Sequence, residues 1–162
     1  MRRLLLVFLG LLSGLSLTAG ARADDDVLRY VSLDTDKAYM RTGPGLRYPV
    51  EWVFVRDGWP FQVISEYGYW RKVRDIDGTA GWMHMNLLTS KRRVIVTGDV
   101  ENVYKEPDAA SRQVAILEKG VVADLRDCKD DWCQVSIRDA DGKIFSGWMQ
   151  RAGLWGAEDK PE

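Results

Sequence analysis

The chain has 162 residues, with 23 basic and 24 acidic side chains, a net charge of −1, two cysteines and one histidine. So even a balance gives no general basis for nucleic-acid binding, which favours basic patches. The single histidine, His84, excludes any catalytic or metal centre that needs two.

The chain opens on Met1-Arg2-Arg3, runs almost wholly apolar from Leu4 to Leu17, and reaches Ala21-Arg22-Ala23 before three aspartates, Asp24 to Asp26. A basic start, an apolar core and a small-x-small site are the order of a secretory signal peptide. The apolar run falls short of the roughly 20 residues of a spanning helix, so cleavage after Ala23 is favoured over a retained anchor. Removing residues 1–23 would take three arginines and no acid, leaving 139 residues with a net charge of −4. The expected product is periplasmic or secreted, with no membrane span and no cysteine near the cleavage site to carry a lipid.

The remainder is written twice. Arg41-Thr42-Gly43-Pro44, Gly58, Trp70-Arg71-Lys72-Val73, Asp75-Ile76-Asp77-Gly78 and Gly81-Trp82-Met83 come first. Tyr104-Lys105-Glu106-Pro107, Gly120, Trp132-Cys133-Gln134-Val135, Asp139-Ala140-Asp141-Gly142 and Gly147-Trp148-Met149 follow in the same order. An ordered series repeated at a near-constant offset marks two copies of one structural unit, here residues 24–90 and 91–156, with a tail at 157–162.

Within the first copy, short runs between turn residues predict strands at 28–33, 51–55, 61–64, 69–74 and 79–83, with an irregular loop over 38–50 and a helical turn at 86–88. The second copy predicts strands at 93–97, 113–117, 121–126, 132–137 and 143–149, with a loop through Pro107. No segment carries ten residues of helical periodicity. The fold class is all-β, two tandem small barrels or sandwiches joined by the short linker Thr89-Ser90-Lys91-Arg92.

Cys128 and Cys133 flank the polar turn Lys129-Asp130-Asp131-Trp132. An even count in an exported chain argues for pairing, because such compartments are oxidising. Separate thiols and a redox-active pair are the alternatives, although the spacing is not the Cys-x-x-Cys of oxidoreductases.

Tyr39-Met40-Arg41-Thr42-Gly43-Pro44, Trp70-x-x-Val73 and Gly81-Trp82-Met83 resemble the bacterial SH3-like domain, and the resemblance extends over nearly all of the chain after the leader, once per copy. In the second copy Tyr104-Lys105-Glu106 stands where the family has Arg-Ser-Gly. The paired cysteines around a tryptophan are also similar to exported proteobacterial members. The resemblance implies five-stranded SH3-like β-barrels that serve as non-catalytic binding modules of the cell envelope. Peptidoglycan or its stem peptides would be the ligand, with an envelope protein as the alternative partner.

The residues themselves offer little chemistry. His84 has no nucleophile or carboxylate in a recognisable motif, and both Asp-x-Asp-Gly runs read as hairpin turns rather than calcium loops. No catalytic residue, metal site or cofactor is expected. If Val73 and Val135 point inward, Trp70 and Trp132 point out, where they either complete the fold or form an aromatic shelf for a ligand. Met83 and Met149 are inward on the same argument, and Gly81-Trp82-Met83 is expected to close the barrel beside the core. By similarity to the SH3 peptide groove, His84 and Leu87 join Tyr39, Arg41 and Trp70 as candidate ligand-binding residues of the first copy, with Trp132 in the second. Gln150 and Gly153 replace His84 and Leu87 there, a poorer surface.

Overall fold

Runs of β-branched and aromatic residues, cut by Gly- and Asp-containing turns, can bury a face only by pairing with one another. The computed structural model describes residues 29–158, and the expected signal peptide at 1–23 lies outside them. The first module contains β1 (Arg29–Leu33), β2 (Ala38–Arg41), β3 (Val50–Phe54), β4 (Pro60–Tyr67), β5 (Trp70–Arg74), β6 (Ala80–His84) and β7 (Leu88–Thr89). The second contains β8 (Arg93–Val96), β9 (Val100–Tyr104), β10 (Gln113–Glu118), β11 (Val122–Lys129), β12 (Trp132–Arg138), β13 (Ile144–Gln150) and β14 (Leu154–Trp155). Single 3-10 turns, Met85–Leu87 and Arg151–Gly153, precede the last strand of each. No helix among the described residues is long and apolar enough to cross a membrane.

The protein is all-β, and the repeat is exact in topology. One sheet runs β3-β2-β6-β5-β4-β1-β7 and the other β10-β9-β13-β12-β11-β8-β14, the same order seven strands on. The register repeats as well. Each β4-type strand slips by one residue against its neighbour, between Val63 and Ser65 in one module and between Leu125 and Asp127 in the other.

Each sheet wraps its own core. Val31, Leu33, Met40, Phe61, Val63, Val73 and Met83 fill the first. Val94, Val96, Val103, Cys133, Val135, Met149 and Leu154 fill the second, to which Ala157 also contributes.

Two expectations need correction. The stretches 38–50 and 98–107 are not loops throughout, since each contains a strand, β2 and β9. Pairing with β3 and β6, or with β10 and β13, holds these strands. Trp82 does not sit in the core either. Along β6 the buried residues are Gly81 and Met83, so alternation turns Trp82 and His84 outward.

Cys128 and Cys133 form a disulfide. They are directly paired across β11 and β12, and the turn between these strands is only Asp130-Asp131. The equivalent pair in the first module is Glu66 and Arg71, an ion pair at 3.5 Å. The second module thus holds by covalent bond the cross-strand position that the first holds by charge. A loop this short contributes about 2 kcal/mol in the chain-entropy view. Reduction of the intact protein is expected to raise amide exchange most around β11 and β12 of module two, and less in module one, which feels the loss only through the junction. Equal acceleration in both would contradict this.

The modules are bolted together. The Tyr30 ring of β1 meets Trp155 of β14 edge-on at 5.9 Å, and the Arg92 guanidinium lies 5.3 Å from the Tyr30 ring centre. Gln62 donates to the Tyr30 hydroxyl at 3.0 Å, and Arg92 donates to the Glu158 carbonyl at 3.0 Å. On the other side of the linker, Arg93 donates to Asp124 at 3.0 Å and to the Leu33 carbonyl of module one at 3.3 Å. Gly58, at φ +76°, makes room for this arginine; a Cβ there would come within 2.5 Å of it.

Burial acts to raise the Asp124 carboxyl, but hydrogen bonds and charge from Lys91 and Arg93 outweigh it and hold the group below its ordinary value. A lowered carboxylate stabilises the fold above its unfolded pKa of about 3.9 and loses that contribution as pH falls through the folded value. Melting temperature should therefore fall more steeply below about pH 4 in the wild type than in Asp124→Asn. Parallel curves would refute the assignment.

Candidate functional site

The site lies on the outward face of β2, β6 and β5, whose inward residues Met40, Met83 and Val73 fix the alternation. Two rows of paired side chains cross that face. In module one Lys72 pairs with Trp82, which pairs with Arg41; beside them Tyr67 pairs with Trp70, which pairs with His84.

The second row forms an aromatic corner. Trp70 meets the His84 ring edge-on at 5.4 Å, and Tyr69 stacks on His84 at 6.1 Å with 27° between planes. His84 ends β6 and caps the following 3-10 turn, its Nδ1 accepting from the Asn86 amide at 3.3 Å. Its ring is thereby held in place. Trp70 is half-buried, while Tyr67 and Tyr69 are 67% and 71% exposed. Met85 and the Arg71 guanidinium, 3.9 Å from the Met85 sulfur, complete the rim.

The same positions in module two carry Lys129, Asp131, Trp132, Gln150 and Arg151. Trp132 packs edge-on against Tyr104 at 5.7 Å instead. Only the tryptophan of the corner is repeated; the tyrosines, the histidine and the methionine are replaced by polar or charged groups.

Of the residues singled out from sequence, Trp70 and His84 are therefore in contact, and Tyr39 is exposed on the same outward face. Arg41 is occupied in building the loop after β2, donating to the carbonyls of Tyr48 at 2.8 Å and Leu46 at 3.3 Å. In that loop the Tyr48 ring lies against Gly43, where a Cβ would come within 2.4 Å. Leu87 is half-buried and packs on the module-one core. Trp132 stands on the other module. The sequence reading missed Tyr67, Tyr69 and Met85; the signal was the aromatic density of Tyr67-Gly68-Tyr69-Trp70, in which the turn at Gly68 (φ +53°) exposes both tyrosines.

The first carboxylate of each Asp-x-Asp-Gly run is spent on its turn. Asp75 accepts from the amides of Asp77 at 3.0 Å and Thr79 at 2.8 Å, and Asp139 accepts from Asp141 at 3.0 Å and Lys143 at 2.8 Å. Burial pushes the Asp75 carboxyl up, against the opposing pull of those backbone donors.

Two small barrels in tandem, each presenting a paired aromatic face, define a repeat of SH3-type modules. The family described as bacterial SH3 domain matches residues 34–89 and 98–156, and the chain belongs to that family. No curated protein matches. Among solved structures the chain is similar to NlpC1 and NlpC2 from Trichomonas vaginalis. For NlpC1 the identity is 17% and the TM-score 0.36, over 87% of this chain and 50% of that one. For NlpC2 the identity is 16% and the TM-score 0.34, over 78% of this chain and 47% of that one. The chain thus spans about half the length of these structures.

Proposed function

We propose that this is an exported, non-catalytic binding protein of the bacterial cell envelope that holds peptidoglycan, by its glycan or its stem peptides, at the aromatic corner of module one. One observation carries the reading: Tyr67, Tyr69, Trp70 and His84 converge in one module, while the equivalent positions of the other are polar apart from Trp132. Exposed rings held rigidly offer apolar area and polar edges at low entropic cost, which suits the apolar face of a sugar or a peptide backbone. The bacterial SH3 family membership supports a wall ligand, and the disulfide supports an oxidising compartment.

A second reading, docking of an envelope protein, draws on the β2–β3 edge. Tyr39, Leu46, Val50, Trp52, Val53 and Val55 are all exposed there, and β3 ends the sheet. An open edge with apolar side chains can take an extended peptide segment. Co-sedimentation with purified sacculi, compared with capture of proteins from a sacculus-free envelope extract, separates the two. Sedimentation with sacculi is expected; capture of protein with no sedimentation would replace the first reading by the second.

A further inference from the structure

A cleft of about 420 Å³ opens between the modules, away from the aromatic corner. Trp59, Ile76 and Asp77 form the module-one wall, and Ile95, Val96, Thr97, Lys119 and Gly120 the module-two wall. Its size falls in the roughly 300–1,000 Å³ range of small-ligand sites, which favour junctions of this kind.

Three features give the cleft a chemical preference. Its apolar surface comes from Trp59 and Ile76, both half-buried, with the buried Ile95 and Val96 behind them. Asp77 stands in the turn between β5 and β6, where only its amide is used by the turn; Lys119 stands in the turn between β10 and β11. Among the described residues neither charge is in an ion pair, with the other or with a third group. Opposite charges on opposite walls, with apolar surface between, complement a molecule that carries an ammonium at one end, a carboxylate at the other and hydrocarbon in the middle. Gly120, at φ +81°, adds no side chain to the rim of the cleft.

We propose that this cleft is a second ligand site, for an apolar dipeptide with both termini free. The ammonium pairs with Asp77, the carboxylate with Lys119, and the side chains cover Trp59 and Ile76. The bolt formed by Tyr30, Arg92, Arg93 and Trp155 fixes the distance between the walls, so the site exists before the ligand arrives.

The test uses the full chain labelled with nitrogen-15 and L-leucyl-L-leucine as probe, at millimolar concentration. Saturable amide shifts are expected at Ile76, Asp77, Thr97 and Lys119, and should persist in Trp70→Ala. Capping either terminus, as N-acetyl-leucyl-leucine or leucyl-leucinamide, should weaken binding about two- to fivefold, the range of one exposed ion pair. Asp77→Lys and Lys119→Asp should each weaken it, and the double variant should recover it, because a zwitterion can bind reversed between exchanged charges. Both residues are exposed, so the variants should fold. Absence of saturable shifts, equal binding of capped and free probes, or failure of the double variant to recover would overturn the proposal. Shifts confined to Tyr67–His84 would assign the dipeptide to the aromatic corner and overturn it equally, while leaving the peptidoglycan reading intact.

Discussion

Gly147→Ala is expected to unfold module two under conditions where the wild type is folded. Gly147 is where β13 crosses the inside of β9, and a Cβ there would lie 2.4 Å from the Tyr104 carbonyl and 2.7 Å from the Val103 side chain. The first of these atoms is backbone, already committed to the sheet, and cannot turn aside. Overpacking of this kind costs about 3 kcal/mol or more, a large part of the stability of so small a module. Gly142→Ala supplies the contrast. Its φ is +82°, which strains an L residue, yet its Cβ would meet open space, so about 1–2 kcal/mol is expected. Denaturant midpoints of the two variants measure the difference. Similar losses in both would show that close approach is not what requires glycine in the Gly-Trp-Met triplet.

Tyr30→Ala is the second large effect, and it acts on both modules together. The ring is only 8% exposed although it lies outside either core; Trp155, Arg92 and Gln62 surround it. Truncating a buried aromatic costs about 3–5 kcal/mol, and here the loss falls on the junction. Calorimetry should resolve one unfolding transition in the wild type and two in the variant. Tyr30→Phe should keep the single transition and lose about 1 kcal/mol from the hydroxyl bonds. Burial first, and then the bond to Glu158, push the Tyr30 phenol up to about 12. An acid whose folded value is raised contributes stability below its unfolded value and loses it as pH rises through the folded one. The coupling should accordingly weaken in strong alkali, between about pH 10 and 12, in the wild type and not in Tyr30→Phe. Two independent transitions in the wild type would contradict the rigid junction.

Much of this architecture was legible in the sequence because it rests on local signals. Gly-Trp-Met needs glycine for close approach, Asp-Gly needs a positive φ at Gly78 and Gly142, and both survive divergence. The loops after β2 and β9 show how far backbone outlasts side chain. Thr42 bonds to the Pro49 carbonyl as Lys105 does to Arg112, and Tyr48 bonds to Gly45 as Ser111 does to Asp108. Yet Arg-Thr-Gly-Pro-Gly at 41–45 has become Tyr-Lys-Glu-Pro-Asp at 104–108.

What the sequence hid is long-range. β2 and β9 exist through partners far along the chain. The outward turn of Trp82 follows from Gly81 and Met83 facing the core, an alternation that aromatic content alone does not reveal. The aromatic corner was half legible: Trp70 and His84 stand out in the sequence and are in contact, but the place of Tyr67 and Tyr69 depends on a tight turn, and Arg41 and Leu87 are engaged in the loop and against the core. The junction had no local signature, since Tyr30 and Trp155 meet only after both barrels have closed.

The central claim is that binding resides in the aromatic corner of module one. Its most direct measurement is co-sedimentation of Trp70→Ala and Trp132→Ala with purified sacculi, alongside their melting temperatures. The two tryptophans occupy equivalent register positions and are similarly half-buried, so truncation should lower stability by comparable amounts. Trp70→Ala is expected to lose retention by roughly tenfold or more, as stacking and apolar contact with the ligand disappear, while Trp132→Ala keeps it. Equal retention of the two variants, or loss that only tracks unfolding, would contradict the account.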